Sequence, residues 1–501
     1  MKILTGSQIK EADKYTIENE PISSLELMER ASLYMSNEVI KILNDDVPLL
    51  FFIGKGNNGG DGLAMARILS ENGYRCMVYC IYSKEDMTED CRANLERLPA
   101  DVEILNPDII FQNILVNEDI LIIDAILGSG VKGIVKEPIS EVIRWINNLP
   151  NQVVSIDLPS GMKTEWNNED DKSIIKADYT LTIEFPKIGM LLPDVGEYCG
   201  EIIIVPIGLS QEYINETFSN YNYTDKEYIQ SLTEKRSKFT YKNAHGHALL
   251  ICGSKNMGGT ATLATAGALR SGCGLVTTHL PYEARYGIMA NCPSAMLSFD
   301  EGDMFTVLPS NLDKYSVVGA GCGIGQSEET VMALGLLFQS VTYPIVIDAD
   351  ALNIIATHRQ LHNFIPKNSV LTPHLGELRR LVGAWDSEKH KIELVRQQAS
   401  DLESVIVVKG AYTMICLPDG NCFFNSTGNA GMAKGGSGDI LTGLITGLIG
   451  RGYSSSKAAI IGVYLHGLAG DLAASELSQE AMNSTDIVDY LPKAFIELNK
   501  G

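Results

Sequence analysis

Short apolar runs of strand length alternate along this sequence with stretches of helical pattern. In the first half the runs are almost continuously apolar, and they lie at residues 49–53, 76–81, 120–124, 153–157, 179–183 and 202–205. Strands that helices cover on both faces have this composition, as in a parallel sheet. This alternation limits the fold more than any other property of the sequence, and it predicts an α/β sandwich.

The second half of the chain repeats the alternation. Its runs lie at residues 248–252, 274–279, 316–319, 344–348, 369–372 and 405–408, followed by a hairpin at 414–425 and long helices at 438–449 and 456–477. Between about residues 210 and 240 the apolar pattern gives way to Asn, Tyr, Glu, Lys and Ser. We therefore predict two α/β domains, at residues 1–213 and 239–501, joined by a linker at residues 214–238.

Charge and cysteine content exclude several function classes. The 501 residues include 40 Lys or Arg against 62 Asp or Glu, a formal net charge of −22. Nucleic acids and anionic membranes are bound by clustered cations, so we expect neither as a partner. No apolar run reaches the roughly 18 residues of a membrane-spanning helix, and the first residues turn polar too early for a signal peptide. The ten cysteines form no CxxC pair, which favours reduced thiols, a cytoplasmic location and no zinc site.

A glycine-rich turn follows the first apolar run and opens a helix, with the sequence GKGNNGGDG at residues 54–62. Free backbone N–H groups at such a helix start bind phosphate, although the turn is alternatively a purely structural one. An NAD-dependent dehydrogenase would end the next strand on an acidic residue that holds the ribose. The nearest acid here is Glu85, beyond the strand end, which disfavours hydride transfer.

The first domain must perform its chemistry without histidine, because all eight histidines lie at or after His245. Polar residues follow three of its predicted strands: Asn58 after the first, Asp124 after the third, and Asp157 with Ser160 after the fourth. The carboxyl ends of parallel strands meet at one edge of a sheet, so these side chains are expected to converge on a ligand. Alternatively, the two aspartates only cap turns.

Four motifs of the first domain occur in a recognisable order: GNNGGDGL-x-x-AR at 56–67, D-A-x-x-G-x-G at 124–130, D-x-PSG at 157–161 and EFPK at 184–187. They resemble the NAD(P)H-hydrate epimerase domain, and LMERA at 27–31 is similar to its opening helix. The resemblance covers nearly all of residues 1–210 and implies a Rossmann-like α/β/α sandwich.

The resemblance also implies a role for each matching residue. Asp157 would contact the reacting ring, and we expect it to be the acid–base group that scrambles the configuration of the hydrated carbon. Asn58, Asp124 and Ser160 would bind potassium, because their oxygens suit a hard alkali cation. The phosphates and nicotinamide of the hydrate would contact Asn57, Asn58, Gly59, Gly60, Asp61, Gly128, Ser129, Gly130, Val131, Lys132, Gly133, Ile134 and Asp157.

In the second domain a glycine-rich segment, GNAGMAKGGSGD at residues 428–439, runs directly into a helix. Backbone N–H groups at this helix start would form an anion hole for a phosphoryl group in transfer. Asp439 on the first turn is placed to take a proton from a substrate hydroxyl. A glycine-rich linker with a capping Asp is the alternative, and the absence of GxxxxGK[ST] argues against a Walker-type site.

Further motifs end other strands of this domain. KGAYT at 409–413 would clasp a nucleotide unless it is an ordinary turn, and His374 lies between a strand end and a helix start, where ligands bind. His466, within a long helix, is expected to be a packing residue. The set resembles the ribokinase-like superfamily, and more closely its NAD(P)H-hydrate dehydratase branch, over nearly all of residues 240–495. The matching segments are HGH at 245–247, MGG at 257–259, LRSGCGLV at 269–276, DADALN at 348–353, TPH-x-GE at 372–377, KGA-x-T at 409–413 and GMAKGGSGD at 431–439.

Two positions depart from that pattern: Cys322 stands where the family usually has Pro, and Ser437 where it often has Thr. The resemblance implies that the hydrate contacts Gly323, His374 and Asp439. It implies that the nucleotide contacts Lys409, Gly410, Ala411, Tyr412, Thr413 and Gly438.

Together the two resemblances imply a bifunctional isomerase and lyase that repairs hydrated nicotinamide cofactors. The first domain would interconvert the R and S hydrates of NADH and NADPH. The second would phosphorylate the ring hydroxyl of the S form, with Asp439 as base, and eliminate phosphate. ADP or ATP would be the donor, with Mg²⁺; similarity to bacterial members favours ADP, but the residues do not separate the two, and a homo-oligomer is expected.

The alternative function is a ribokinase-like kinase of a small alcohol or vitamin precursor, with a nucleotide-sensing first domain. A catalytically inactive scaffold is disfavoured, because Asp157 and Asp439 are both present.

Overall fold

The two series of strands form two sheets in the computed structural model, which describes residues 1–43, 47–105, 120–167 and 173–500. The chain divides into two units: the first is Lys2–Ser219, and the second is Asn220–Gly501 together with Met1. Each unit has a mainly parallel sheet with helices packed against it, which confirms the predicted fold class.

The first unit places helices on both faces of its sheet. Its strands are β1 (Leu49–Ile53), β2 (Cys76–Cys80), β3 (Glu103–Ile104), β4 (Leu121–Ala125), β5 (Val153–Ile156), β6 (Tyr179–Ile183) and β7 (Glu201–Val205). Its helices are α1 (Gly6–Asn19), α2 (Ser24–Ile42), α3 (Asn57–Glu71), α4 (Glu89–Glu96), α5 (Ile139–Ile146) and α6 (Gln211–Glu216). These seven described strands are all parallel, in the order β3-β2-β1-β4-β5-β6-β7.

Strand β1 shows why the apolar runs are continuous. Leu49, Phe51 and Ile53 belong to the core on one face of the sheet, whereas Leu50 and Phe52 belong to the core on the other. Successive side chains of a strand point to opposite faces, so a sheet covered on both faces needs apolar residues at every position.

The strand order also locates the functional edge of the first unit. β1 lies between β2 and β4, so the chain leaves β1 towards one side of the sheet and later returns on the other. Loops that follow two such strands diverge and leave a crevice at the carboxyl ends, where open α/β sheets bind ligands. Here they are the loops after β1 and β4.

The second unit has a ten-stranded sheet among its described residues. Its strands are β8 (Tyr221–Thr224), β9 (His247–Ile251), β10 (Leu275–Pro281), β11 (Met296–Asp300), β12 (Val317–Ala320), β13 (Ile345–Ile347), β14 (Val370–Leu371), β15 (Val405–Val408), β16 (Met414–Cys416) and β17 (Cys422–Asn425). Its helices are α7 (Lys226–Leu232), α8 (Gly258–Arg270), α9 (Tyr286–Asn291), α10 (Glu328–Ser340), α11 (Ala349–Thr357), α12 (Leu375–Val382), α13 (Glu388–Asp401), α14 (Ser437–Gly450), α15 (Ser455–Ala481) and α16 (Ser484–Asn499). The order is β11-β10-β9-β12-β13-β14-β15-β16-β17-β8, and only β16 runs antiparallel to its neighbours.

The segment predicted to be a linker, residues 214–238, is largely part of the second unit. Within it β8 pairs with β17, and α7 places Ile229 in the core. The apolar pattern misses three strands in all, β3, β8 and β11, and each lies at a sheet edge. An edge strand buries less of its surface than a central one, so its sequence lacks the apolar run on which the prediction depends.

Glycines let α8 and α14 approach closely in the second unit. A Cβ at Gly443 of α14 would overlap the carbonyl oxygen of Ala264 in α8. We expect Gly443→Ala to lower the free energy of unfolding by about 3 kcal/mol, because the backbones must move apart. Gly259→Ala is the matched control, since a Cβ there meets nothing within 4 Å. Urea unfolding followed by circular dichroism measures both, and equal stability of the two variants would contradict this packing.

Helix α15 is long and apolar enough to cross a membrane by length and composition alone. Of its most apolar stretch of 18 residues, 72% is buried within the protein. Residues such as Leu465 and Ala469 belong to the core of the second unit. We therefore interpret α15 as a core helix.

Candidate functional sites

The crevice of the first unit is a cavity of about 620 Å³ at the carboxyl ends of β1 and β4. Its wall includes most of the residues predicted from the sequence: Asn57, Asn58 and Asp61 of α3, the loop from Gly128 to Ile134, and Asp157 after β5. The structure therefore brings the phosphate loop and the candidate acid–base residue to one site.

Two of the predicted residues, Gly59 and Gly60, do not line this cavity. A Cβ at Gly59 would overlap the carbonyl oxygen of Gly54, and one at Gly60 would meet the sulfur of Met28. These glycines let α3 pack closely against β1 and α2, so their place in the motif is explained by packing.

The cavity is locally basic although the chain is strongly acidic. Lysines from four segments line it: Lys10 of α1, Lys55 before α3, Lys132 and Lys136 after β4, and Lys187 after β6. Together with the free N–H groups at the start of α3, these ammonium groups form a site for a ligand with several phosphate charges.

Asp157 is held by a lysine that the sequence analysis quoted but did not assign to the site. The Lys187 ammonium, only 1% exposed, lies 2.5 Å from Oδ1 of Asp157 and also donates to Thr182 and to the carbonyl of Ile183. Asp157 has a φ of 65°, in the left-handed region that costs a non-glycine residue energy. The fold thus holds one oriented carboxylate against a buried ammonium at the cavity wall. A lysine inside an otherwise apolar stretch, residues 185–192, was the available signal.

Two further carboxyl groups face the same region. Burial raises the pKa of Asp13 to about 6, the charge of Asp157 adds to the effect, and Lys187 opposes it. Burial also raises the pKa of Asp61 well above its ordinary value, with Asp157 and Asp13 adding to the shift. Asp13 was missed because a single acid in an amphipathic helix is usually a solvated residue.

Of the predicted potassium ligands, Asn58 lines the cavity, whereas Asp124 and Ser160 do not. Asp124 is fully buried and accepts hydrogen bonds from Ser155 and Ser160; burial raises its pKa, and no charged group of the described chain offsets this. The Ser160 hydroxyl also accepts a hydrogen bond from the backbone N–H of Leu127. The next residue is Gly128, and a Cβ at that position would lie 3.2 Å from the Asn58 side chain.

The Asn58 amide nitrogen is buried without a hydrogen-bond partner in the described part of the chain. An amide turned by 180° presents its oxygen at that position instead. An uncompensated carboxylate near an amide and a hydroxyl is a donor set that fits a hard monovalent cation.

In the second unit, the predicted base lies on the first turn of α14. Burial raises the pKa of Asp439 to about 6; a hydrogen bond from Cys322 lowers it, and the Asp348 charge raises it. A carboxyl group with this pKa is mainly ionised at neutral pH and more basic than an ordinary carboxylate, which suits it to accept a proton. Gly436, Ser437 and Gly438 precede it at the helix start, where the first backbone N–H groups have no partner within the helix, although that of Ser437 donates to the Lys434 carbonyl.

Lys409 is oriented by the carboxylate of Asp348, which was not predicted from sequence to be a site residue. Its ammonium lies 2.8 Å from Asp348 and 4.0 Å from Glu377, and Thr442 of α14 donates to Asp348 at 2.6 Å. Burial opposes the charge of Lys409, but these two acids outweigh it, and its pKa lies above the ordinary value. Asp348 thereby connects the 409–413 loop to α14, next to the proposed anion hole.

The other predicted residues of the second unit occupy neighbouring strand ends. Gly438 lies beside Lys409, since a Cβ there would be 3.3 Å from the ammonium. Gly323 has a φ of 66° and follows Cys322, whose sulfur is 3.9 Å from Asp348. His374 caps α12, and its ring is 55% exposed at the end of β14, beside Lys409 along the backbone.

His466, expected to be a packing residue, is buried and also contacts the start of α14, where the anion hole is predicted. Its Nε2 lies 3.3 Å from the Ser437 hydroxyl at the start of α14. Burial lowers the pKa of His466 to about 4, so the ring is neutral at pH 7 and supports the helix start as a hydrogen-bonding group.

Comparison with known proteins gives the same division of the chain. Residues 24–189 match the family model described as YjeF-related protein N-terminus, and residues 248–493 match the one described as NAD(P)H-hydrate dehydratase. A ribokinase-like superfamily protein of Enterococcus faecalis, 28% identical, has a similar solved structure with a TM-score of 0.52, covering 57% of this chain and 99% of that one.

Full-length relatives include two proteins named bifunctional NAD(P)H-hydrate repair enzyme. The one from Moorella thermoacetica is 34% identical over 98% of this chain and 96% of its own length. The one from Coxiella burnetii is 32% identical over 97% of both chains. This chain therefore belongs to the family of bifunctional NAD(P)H-hydrate repair enzymes.

Proposed function

We propose that the first unit interconverts the R and S hydrates of NADH and NADPH, and that the second uses ADP or ATP to dehydrate the S form. The observation that carries this proposal is that two complete sets of acid–base and phosphate-binding residues gather at strand ends of two separate sheets. Each set has the chemistry that one of the two steps requires.

In the first unit, Asp157 is the acid–base group that accepts a proton during epimerisation. Lys187 orients it, because the ammonium lies in direct contact with the carboxylate. The lysine-lined wall and the start of α3 hold the phosphates of the hydrate, and residues 128–134 cover its ring. A potassium ion held by Asn58, Asp124 and Ser160 would supply positive charge that fixes the loop after β4.

In the second unit, Asp439 takes the proton of the ring hydroxyl as that oxygen attacks the terminal phosphorus of the nucleotide. N–H groups at the start of α14 stabilise the charge on the phosphoryl group in transfer, and Lys409 pairs with the nucleotide phosphates. The phosphorylated hydroxyl then leaves as phosphate, expelled by the ring nitrogen lone pair, and loss of a ring proton restores the double bond. The described residues hold no cluster of three or more His, Cys, Asp or Glu, so Mg²⁺ would be bound mainly by the nucleotide.

The proposed function is tested with purified R and S hydrates of NADH and NADPH. We expect the reduced-nicotinamide absorbance to return from the S form when ADP or ATP is added, and from the R form only when residues 1–213 are active. A stable phosphorylated alcohol, without recovery of reduced nicotinamide, would contradict the proposal and favour a kinase. The ratio of rates with ADP and ATP identifies the donor.

Potassium dependence is expected in the first unit alone. Asp124→Asn removes the buried charge, so the K⁺ concentration for half-maximal epimerisation should rise by roughly tenfold or more. K⁺ should also raise the melting temperature of the wild type more than that of the variant. Exposed Asp101→Asn is the control. Identical K⁺ responses of the wild type and Asp124→Asn would exclude this ligand set. The cytoplasmic location and a homo-oligomeric state stay predictions.

A further inference from the structure

A second carboxyl group, Asp13, faces the epimerase cavity from helix α1. Ile9, Asp13 and Ile17 are spaced four residues apart and line the cavity, so they occupy one face of the helix. Asp157 and Lys187 line the same cavity. The sequence motifs of the first unit do not include α1, and no step described above uses Asp13.

The two carboxyl groups differ in their partners. Asp157 is paired with the Lys187 ammonium at 2.5 Å, whereas Asp13 forms no hydrogen bond or ion pair with any described residue. Asp13 is half-buried, and burial together with the Asp157 charge raises its pKa to about 6. The other charged groups that line the cavity are Asp61 of α3, Lys10 of α1, Lys55 before α3, and Lys132 and Lys136 of the loop after β4.

An unpaired acid and a lysine-paired carboxylate in one cavity form a donor–acceptor pair. Two carboxyl groups with different surroundings, one against an ammonium group and one without a partner, are a common arrangement in acid–base catalysis. Inversion by loss and re-addition of water uses such a pair, because one face of the carbon loses the oxygen and the other gains it. Asp157 alone supplies only one of the two proton transfers.

We propose that Asp13 is the second acid–base residue of the epimerase site, acting on the hydroxyl of the hydrated ring opposite Asp157. This inference rests on the proposed epimerase function of the first unit. Asp13 donates its proton to the hydroxyl, the carbon–oxygen bond breaks with both electrons going to oxygen, and water leaves. The ring nitrogen lone pair forms a carbon–nitrogen double bond, so the ring becomes a cation and Asp13 an anion.

A water molecule then adds to the other face of the same carbon, and its oxygen forms the new bond. Asp157 accepts the proton that this water loses, while the carbon–nitrogen π electrons return to nitrogen. The products are the opposite epimer, ionised Asp13 and protonated Asp157. The reverse reaction uses the groups in exchanged roles, and proton exchange with solvent resets the pair.

The test compares Asp13→Asn with Glu11→Gln, an exposed acid on the same helix, in the full-length protein. We expect Asp13→Asn to lower kcat for epimerisation in both directions about 100-fold, with KM changed less than about threefold, because a general acid is lost and binding is not. Dehydration of the S form and all rates of Glu11→Gln should stay at the wild-type level. Wild-type kcat in Asp13→Asn, or a rise in KM alone, would overturn the assignment.

The pH profile distinguishes proton donation from a structural role. For the epimer whose hydroxyl faces Asp13, wild-type kcat should fall as pH rises through about 6, since Asp13 must be protonated. Asp13→Asn should lose this descending limb while Asp13→Glu retains one. In H₂¹⁸O, each wild-type inversion should place one ¹⁸O in the product. Retention of ¹⁶O, or a wild-type profile without the limb, would overturn the proposal, whereas failure of the wild type to epimerise would overturn the proposed function instead.

Discussion

Replacing Asp439 with Asn is expected to lower kcat for nucleotide-dependent dehydration by roughly 10³-fold, because the base that accepts the hydroxyl proton is lost. Epimerisation in the same protein should be unchanged, since its residues lie in the other unit. The measurement is recovery of reduced-nicotinamide absorbance from the pure S hydrate with ADP or ATP. Exposed Asp401→Asn serves as the control.

This variant separates catalysis from folding. Because burial raises the pKa of Asp439 to about 6, the folded state disfavours its charge at pH 7, and a neutral amide should not lower the melting temperature. The wild-type rate should fall as pH drops below about 6, where Asp439 becomes protonated and cannot act as a base. Normal dehydration by a folded Asp439→Asn protein would show that another group is the base.

The second large effect is expected for Lys187→Met. The substitution removes the ammonium that orients Asp157 and leaves a carboxylate without its partner, so epimerisation should fall about 100-fold or more. The free energy of unfolding at pH 7 should fall by about 3 kcal/mol, as for other broken buried ion pairs. Exposed Lys176→Met is the control.

A double-mutant cycle tests whether the effect belongs to the pair. Asp157→Asn combined with Lys187→Met leaves no buried charge at this position, so the double variant should be more stable than Lys187→Met alone. It should remain inactive in epimerisation, because the proton acceptor is absent. Simple addition of the two single-variant stability losses would show that Asp157 and Lys187 do not interact.

The central strands could be predicted from sequence because burial on both faces leaves a continuous apolar run. β1, β6 and β15 have the predicted bounds. The edge strands β3, β8 and β11 could not be predicted from sequence, because their side chains are only partly covered. Most of the segment predicted to be a linker, residues 214–238, belongs to the second unit. Its strand β8 is an edge strand and lacks a continuous apolar run.

The candidate sites divide in a similar way. Asn58, Asp157 and Asp439 lie in glycine-rich or strand-end motifs whose chemistry is local, and the sequence was sufficient to select them. Lys187 and Asp348 become recognisable only by their contacts with Asp157 and Lys409. Such contacts depend on which strand ends lie side by side.

Charge shows most clearly the difference between what the sequence predicts and what only the tertiary structure decides. From sequence alone, the net charge of −22 predicts neither a nucleic-acid nor an anionic-membrane partner, and the order of the motifs is enough to predict two α/β domains and the two reactions. Only the tertiary structure decides that Lys10, Lys55, Lys132 and Lys136 meet at one cavity and that Asp13 faces it from a helix without a motif. The physical reason is that composition and periodicity report burial residue by residue, whereas electrostatic fields and proton transfer depend on distances between residues far apart in the chain.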